Sequence, residues 1–410
     1  MTVGFLVPRK GSLKVMGALI QAALDRGHAV VLLWDPDEKK PGERVSETEL
    51  RPWTGARVVR HARGTPLLPV LTGHGVEAVI GTSLHYVLKG AGHAPELPAI
   101  RAAGIRLYSV DYALDTIRSE PAGYDVVDVT FYMSDHQRQL HWTAMAEPFA
   151  RVGDTARLKA RSAACGSTML DQLAVVDRAA VRKRHGLGPA QPVVLFMSLK
   201  MAVPDPWRRL VWGAGWRGLR AARALATGHA RWVPEILRGH GYRDLVEAAS
   251  RLARRSGAAF IVKSREKNDD PAFLRRRADV FVYDEAVYPY TSIELMAIAD
   301  LCIHFQSGAV LEAAFAGVPS LSIAVSQVHI EQYAAFEELY GGRPGTLQNF
   351  PGVVWPAAAE NAATLLDRSS LADFAVDPKS RDAYIARFLG FGDTRSSHRV
   401  LEVVERSAAC

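Results

Sequence analysis

An α/β fold with two parallel-sheet domains is predicted from three observations. Short apolar runs of strand length alternate with longer segments of helical spacing along most of the chain, the order of βαβ units. The runs, from Thr2–Val7 onward, read as parallel-type strands that helices cover on both faces. At 410 residues the chain is long for one core, and a polar, basic, Gly/Pro-bearing stretch at 176–191 divides it. The expected organisation is a first domain over 1–178, a hinge at 179–191, a second domain over 192–380 with an insertion at 205–233, and a terminal segment at 381–410.

Composition narrows the class. Hydrophobic content of 48% and charged content of 23% are ordinary for a globular protein. Three widely spaced cysteines argue against a disulfide framework and a zinc site, and Cys302 reads as a small core residue. The chain enters a strand at once, without a leader pattern, and no apolar run reaches membrane-spanning length. A cytoplasmic protein is expected. The net charge of +7 favours anionic partners such as nucleotides, acidic lipids or nucleic acid.

The elements follow in order. Thr2–Val7 opens the first sheet, Arg9-Lys10-Gly11-Ser12 turns into a helix over 13–25, and Ala29–Trp34 is the second strand. The first loop has too few glycines for a dinucleotide fingerprint. Lys10 and Ser12 there are candidates for a phosphate contact, or for a solvated basic loop. Later strands at 78–81, 105–110 and 126–133 run out at His85, at Asp111 and at Asp135-His136. Ligands of open sheets gather beyond the carboxyl ends of strands, which makes these four the candidates for acid–base work.

The second sheet begins at 192–197 and runs out at Ser198 to Lys200. A strand at 258–263 ends in Lys263 and Arg265, two cations placed to clamp phosphate. The loop over 285–291 brings Tyr288 and Tyr290, and Ser292 is expected to cap the helix behind it. Residues 207–233 carry four tryptophans and six arginines without one acidic residue. Such a segment suits a membrane headgroup zone, a helical insertion with core tryptophans, or single-stranded nucleic acid, the last being least favoured.

The densest signal lies at 293–325. A helix leads to an apolar strand at 301–305, Gln306-Ser307-Gly308 opens the helix Ala309–Ala316, Gly317 stands where a helix ends, and Pro319 precedes the next strand. A helix start after a strand offers free N–H groups and partial positive charge to phosphate oxygens. Gly308 lets a ligand approach the backbone, and Glu312 is placed to accept the hydroxyls of a ribose.

The string Ser307-Gly308-x-x-x-Glu312-Ala313-x-x-x-Gly317-x-Pro319, led in by Ile298-Ala299-Asp300, resembles the donor-nucleotide motif of the GT-B superfamily. Phe391-Gly392-Asp393 and Ser396-Ser397-x-Arg399 resemble its terminal segment, with Thr394 in place of a second glycine. The resemblance implies two Rossmann-like domains facing across a cleft and a C-terminal helix that crosses back to the first. It implies a sugar transferase without a bound metal or permanent cofactor, whose donor is a UDP-, GDP-, CDP-, CMP- or dTDP-sugar. The acceptor would be a polysaccharide or lipid-linked hydroxyl, the latter reached at the inner face of a membrane to which 207–233 would hold the protein. Ser307 and Gly308 would meet the diphosphate, with Lys263, Arg265 and Lys200 near it, Glu312 on the ribose and Tyr288 against the base. Asp111 is the first choice for general base, ahead of Asp135, His85 and His136. UDP-GlcNAc 2-epimerases and CDP-glycerol glycerophosphotransferases share this fold and are the alternatives, as is a non-catalytic membrane- or nucleic-acid-binding protein. The His-Arg pair of the epimerases is absent after the strand at 192–197, which counts against that chemistry.

Overall fold

A computed structural model of the chain describes residues 1–36, 43–62, 64–84, 88, 94–110, 127–144, 155–198, 216–238, 241–264, 270–283, 286–324, 339 and 342–408. Contacts divide the chain into two compact units. The first comprises Met1–Val175, Ala286–Thr291 and Ile385–Cys410, and the second Val176–Glu285 and Ser292–Tyr384.

The first unit holds seven strands: β1 (Thr2–Val7), β2 (Ala29–Trp34), β3 (Arg57–Arg60), β4 (Ala78–Thr82), β5 (Arg106–Val110), β6 (Val129–Tyr132) and β7 (Ser162–Ala164). They lie side by side as β3-β2-β1-β4-β5-β6-β7, every neighbouring pair parallel. Val3, Phe5 and Val7 of β1, with Leu13, Met16, Leu19 and Ile20 of the Lys10–Asp25 helix, are buried on one face. Leu6, Val31, Leu33, Val79 and Leu107 are buried on the other. The last helix, Ser396–Ala408, packs on the Lys10–Asp25 helix through Val400, Leu401 and Val404. Its first amides, on Ser396 and Ser397, donate to the buried carboxylate of Asp171 at 3.1 and 2.6 Å. A carboxylate at a helix N-terminus satisfies donors that have no partner in the helix itself. Burial raises the Asp171 pKa, and its bonds to Ser397 and Ser396 work the other way.

The second unit holds six strands: β8 (Val193–Met197), β9 (Ala259–Lys263), β10 (Val280–Val282), β11 (Leu301–His304), β12 (Ser320–Ala324) and β13 (Val354–Ala358). Their order is β10-β9-β8-β11-β12-β13, again all parallel. The Tyr242–Arg255 and Ala359–Arg368 helices cover one face, burying Leu245, Ala249, Leu252, Ala362 and Leu366 with Phe196, Phe260 and Ile303. The other face buries Leu195, Ile261 and Cys302 with Leu295, Met296, Ala309 and Ala313 of two further helices. Cys302 is a core residue as its apolar setting predicts.

The stretch expected as a hinge at 179–191 overlaps the helix Arg178–Arg184, capped by Asp177, with Val181 buried in the second core. Arg182 donates to the carbonyls of Gly188, Gln191 and Ile298, so a basic composition concealed a structural cation. The helix after the tyrosine loop starts at Thr291, before Ser292, and the Thr291 hydroxyl accepts the Ala286 amide at 2.8 Å. Ala286–Thr291 itself groups with the first unit rather than with its sequence neighbours. Among the described residues, no helix is long and apolar enough to cross a membrane.

Candidate functional site

Each sheet has one place where strand order reverses. In the second unit the chain lays β9 and β10 to one side of β8 and then crosses to place β11 on the other. Crossover helices leave in opposite directions at such a point, which opens a crevice at the carboxyl ends of the two strands. The loop that follows β11 there is Phe305-Gln306-Ser307-Gly308, and the Ala309–Ala316 helix starts from it.

The loop is held from below. His304 ends β11 fully buried, and its Nδ1 accepts the Ser307 amide at 3.4 Å. Burial lowers its pKa to about 3, so the ring is neutral at ordinary pH. With Nδ1 accepting, the ring proton sits on Nε2, which has no hydrogen-bond partner among the described residues. Ser307 Oγ accepts the Ala309 amide at 3.4 Å, a local turn just ahead of the helix, whose cap residue is Gly308. The Ser307 carbonyl accepts from Gln348 Nε2 at 3.4 Å, and Gln348 Oε1 accepts from Ser322 Oγ at 2.6 Å. Gln306 adopts a φ of 40°, which costs a non-glycine residue about 1–3 kcal/mol and which the surrounding bonds must maintain.

Gly308 is exposed, with a helical φ of −61°, and among the described residues nothing lies within 4 Å of where a side chain would begin. None of those residues demands a glycine there. Glu312, one turn along, is 3% exposed. Arg381 holds the far end of this helix, donating to the carbonyls of Ala314 at 2.8 Å and Phe315 at 2.6 Å, and Gly317 closes it at a φ of 76°.

Lys263 ends β9 and is 3% exposed, with Nζ donating to the Ser264 carbonyl. The registers set Lys263 beside Met197 and Ile303 beside Phe196, so Lys263 and His304 flank the end of β8. Two strand spacings separate their backbones by roughly 10 Å. Ser198, after β8, and Ser264, after β9, donate their hydroxyls to the two oxygens of Asp270. That three-residue tie fixes the two strand ends beside the Ser307 loop. Sequence reading missed it because Asp270 lies 72 positions from Ser198 and carries no motif.

The remaining candidates divide. Tyr288 packs its ring on Trp53 at 5.4 Å in the first unit, and Lys14 lies over Tyr290 at 4.4 Å. Tyr288 thus packs against the first core, and Tyr290 groups with the same unit. Asp135 is exposed and pairs with Arg138 at 2.7 Å, while His136 accepts from Arg387 Nε at 3.4 Å and meets the edge of Phe388. Lys10 pairs with Glu49 at 2.9 Å, and Ser12 shares a buried 3.1 Å hydrogen bond with Thr82. His85, Asp111, Lys200 and Arg265 lie outside the described residues. A cavity of about 720 Å³ in the second unit, lined by Arg178, Lys183, Leu187 and Asp300, sits at the other end of the sheet, where Asp300 accepts the first amide of β8. Ligands of open sheets gather at the opposite, carboxyl end.

No protein-family model matches the sequence, and no curated protein matches it significantly. Solved structures do match over the whole chain. A UDP-GlcNAc 2-epimerase from Methanocaldococcus jannaschii, in complex with UDP-GlcNAc and UDP, is 11% identical with a TM-score of 0.53, covering 99% of this chain and 100% of that one. The UDP-GlcNAc 2-epimerase from Neisseria meningitidis, bound to UDP-GlcNAc, is 12% identical with a TM-score of 0.55, covering 99% and 100%. The wall teichoic acid polymerase TagF, soaked with CDPG, is 11% identical with a TM-score of 0.55, covering 100% of this chain and 88% of that one. All three are GT-B structures, and the two all-parallel, helix-flanked sheets match theirs: this chain has the GT-B fold.

Proposed function

We propose that this protein is a transferase that moves a sugar from a nucleoside-diphosphate donor to a hydroxyl of a glycan or lipid-linked acceptor. The observation that carries the reading is the open Ser307-Gly308 helix start at the strand-order reversal of the second sheet. Backbone amides and a helix dipole aimed at one spot favour a diphosphate, the group that gains charge as the glycosidic bond breaks. The ligands of the neighbouring structures, UDP-GlcNAc, UDP and CDPG, support a nucleotide in this fold.

In this reading Lys263, with Arg265 and Lys200, adds positive charge near the leaving diphosphate, and Glu312 accepts the ribose hydroxyls. Asp111 takes the proton of the acceptor hydroxyl; Asp135, already paired with Arg138, and His136, already bonded to Arg387, rank behind it. His85 is the remaining candidate. The reaction then proceeds in the cytoplasm without a resident metal or cofactor. Epimerisation of UDP-GlcNAc is the second reading, favoured by the two epimerase structures; transfer of glycerol phosphate from CDP-glycerol is the counterpart suggested by TagF.

A thermal-shift screen with UDP, GDP, CDP, CMP and dTDP tests the proposal, since any nucleotide that binds only the folded state raises the melting temperature. One nucleoside diphosphate is expected to stabilise the protein more than its monophosphate. No stabilisation by any of them overturns the reading. Incubation with UDP-GlcNAc alone then separates the alternatives: appearance of ManNAc makes the protein an epimerase.

A further inference from the structure

The helix Arg217–Ala226 lies in the second unit with its amphipathic sides reversed. Its inward side is Arg220, Ala221 and Ala224, at 6%, 6% and 0% exposure. Ala221 and Ala224 pack with Ile236, and Arg220 reaches Asp244 at 3.8 Å. Its outward side carries Leu219, Ala222, Leu225 and Ala226, all exposed, with the leucines at 68% and 57%. Those positions follow helical spacing and form one stripe. Trp216, at the helix start, is 59% exposed beneath the guanidinium of Arg243 at 4.0 Å. A helix on a soluble surface normally turns its apolar stripe to the core and its arginines to water. Here a buried arginine is held by an acid so that the leucines can face out.

The geometry points to this face as a docking surface for an anionic lipid bilayer. Charge decides the occupant. Residues 216–234 hold no acidic residue; of their arginines Arg220 is buried against Asp244, while Arg223, beside the leucine stripe, and Arg231 are exposed. A second copy would bring like charges together across the contact, whereas anionic headgroups would neutralise them. An in-plane helix buries its apolar stripe at the headgroup boundary while flanking arginines and an indole ring stay at the polar level. The surface would hold the protein where a lipid-linked substrate lies, although the inference stands without any nucleotide.

The test is co-flotation of the full chain with phosphatidylglycerol/phosphatidylcholine vesicles and with phosphatidylcholine vesicles alone. Binding to the anionic vesicles is expected, weakened by salt and by removal of the anionic lipid. The pair Leu219→Glu and Leu225→Glu should reduce it by about tenfold or more. Both side chains are already in solvent, so the melting temperature should hold; if it falls, Leu219→Ala with Leu225→Ala replaces the pair, and a reduced vesicle-bound fraction is still expected. Val58→Glu, an exposed apolar position in the first unit, should leave flotation unchanged. No binding to anionic vesicles, equal binding to neutral ones, or full binding by the leucine variants overturns the proposal. So does light scattering that shows a dimer which those variants dissolve.

Discussion

The two sheets each reverse strand order once, and the two reversals are built differently. In the first unit the point lies between β1 and β4, where described side chains bond to one another. Ser12 and Thr82 share a buried hydrogen bond there, Ser109 Oγ accepts the Leu84 amide at 2.9 Å, and Lys10 is paired with Glu49. In the second unit the point between β8 and β11 ends in exposed Gly308, where no atom of the described residues lies within 4 Å of an added Cβ. Both carry strain of the same kind. Ser83, after β4, and Gln306, after β11, have φ of 45° and 40°, and they are the two non-glycine residues at positive φ among the described residues. Strain kept at both reversals is expected of places where backbone geometry matters to a ligand. The difference fits the proposed division of labour, with phosphate held at the second reversal and acid–base side chains beyond the strand ends of the first.

The largest predicted effect breaks that division at one stroke. Asp111→Asn should abolish transfer and leave nucleotide affinity intact, as measured by product formation beside calorimetric titration. Retained turnover removes Asp111 as the base. Glu312→Gln should weaken nucleotide binding by about 1–3 kcal/mol, the worth of a charged acceptor lost to the ribose. Unchanged affinity in the titration discards that role.

A smaller effect concerns acid. His304 is neutral in the fold, with a pKa of about 3, and titrates near 6.5 when unfolded. The unfolded chain therefore binds the extra proton between those values, so stability falls as pH drops below about 6.5, by up to about 1.4 kcal/mol per pH unit. His304→Gln, which keeps an acceptor for the Ser307 amide, should flatten that part of the stability–pH curve in denaturant titrations. An unaltered curve would show that the ring is not what acid attacks. The smallest effects are at the strained positions. Ser83→Gly and Gln306→Gly should each change stability by no more than about 1 kcal/mol, with relief of strain offset by the freedom glycine adds to the unfolded chain. A loss several times larger at either site would mean that its side chain, rather than its backbone, matters.

Local signals in the sequence were readable because their causes are local. The bounds of the Ala309–Ala316 helix and the left-handed turn at Gly317 follow from the Ser307-Gly308 start, a closing glycine and a nearby proline. β1 and β2 are equally plain as apolar runs ended by turns. What escaped depends on distant partners. The Asp270 tie joins residues that only the sheet brings together, and the helix Arg178–Arg184 hides one buried valine among basic residues. The solvent-facing leucines of the Arg217–Ala226 helix have ordinary helical spacing, and the sequence does not say which side the core takes. Nor does anything near Tyr288 announce that Trp53, far back in the chain, claims its ring.

The central claim is that phosphate is gripped at the start of the Ala309–Ala316 helix, and Gly308→Leu tests it most directly. The backbone there is helical and none of the described residues crowds the position, so the substitution should leave the melting temperature unchanged. Calorimetric titration with the stabilising nucleoside diphosphate should then show affinity reduced by about 100-fold, because the side chain fills the phosphate seat. Affinity equal to that of the unaltered protein would contradict the account.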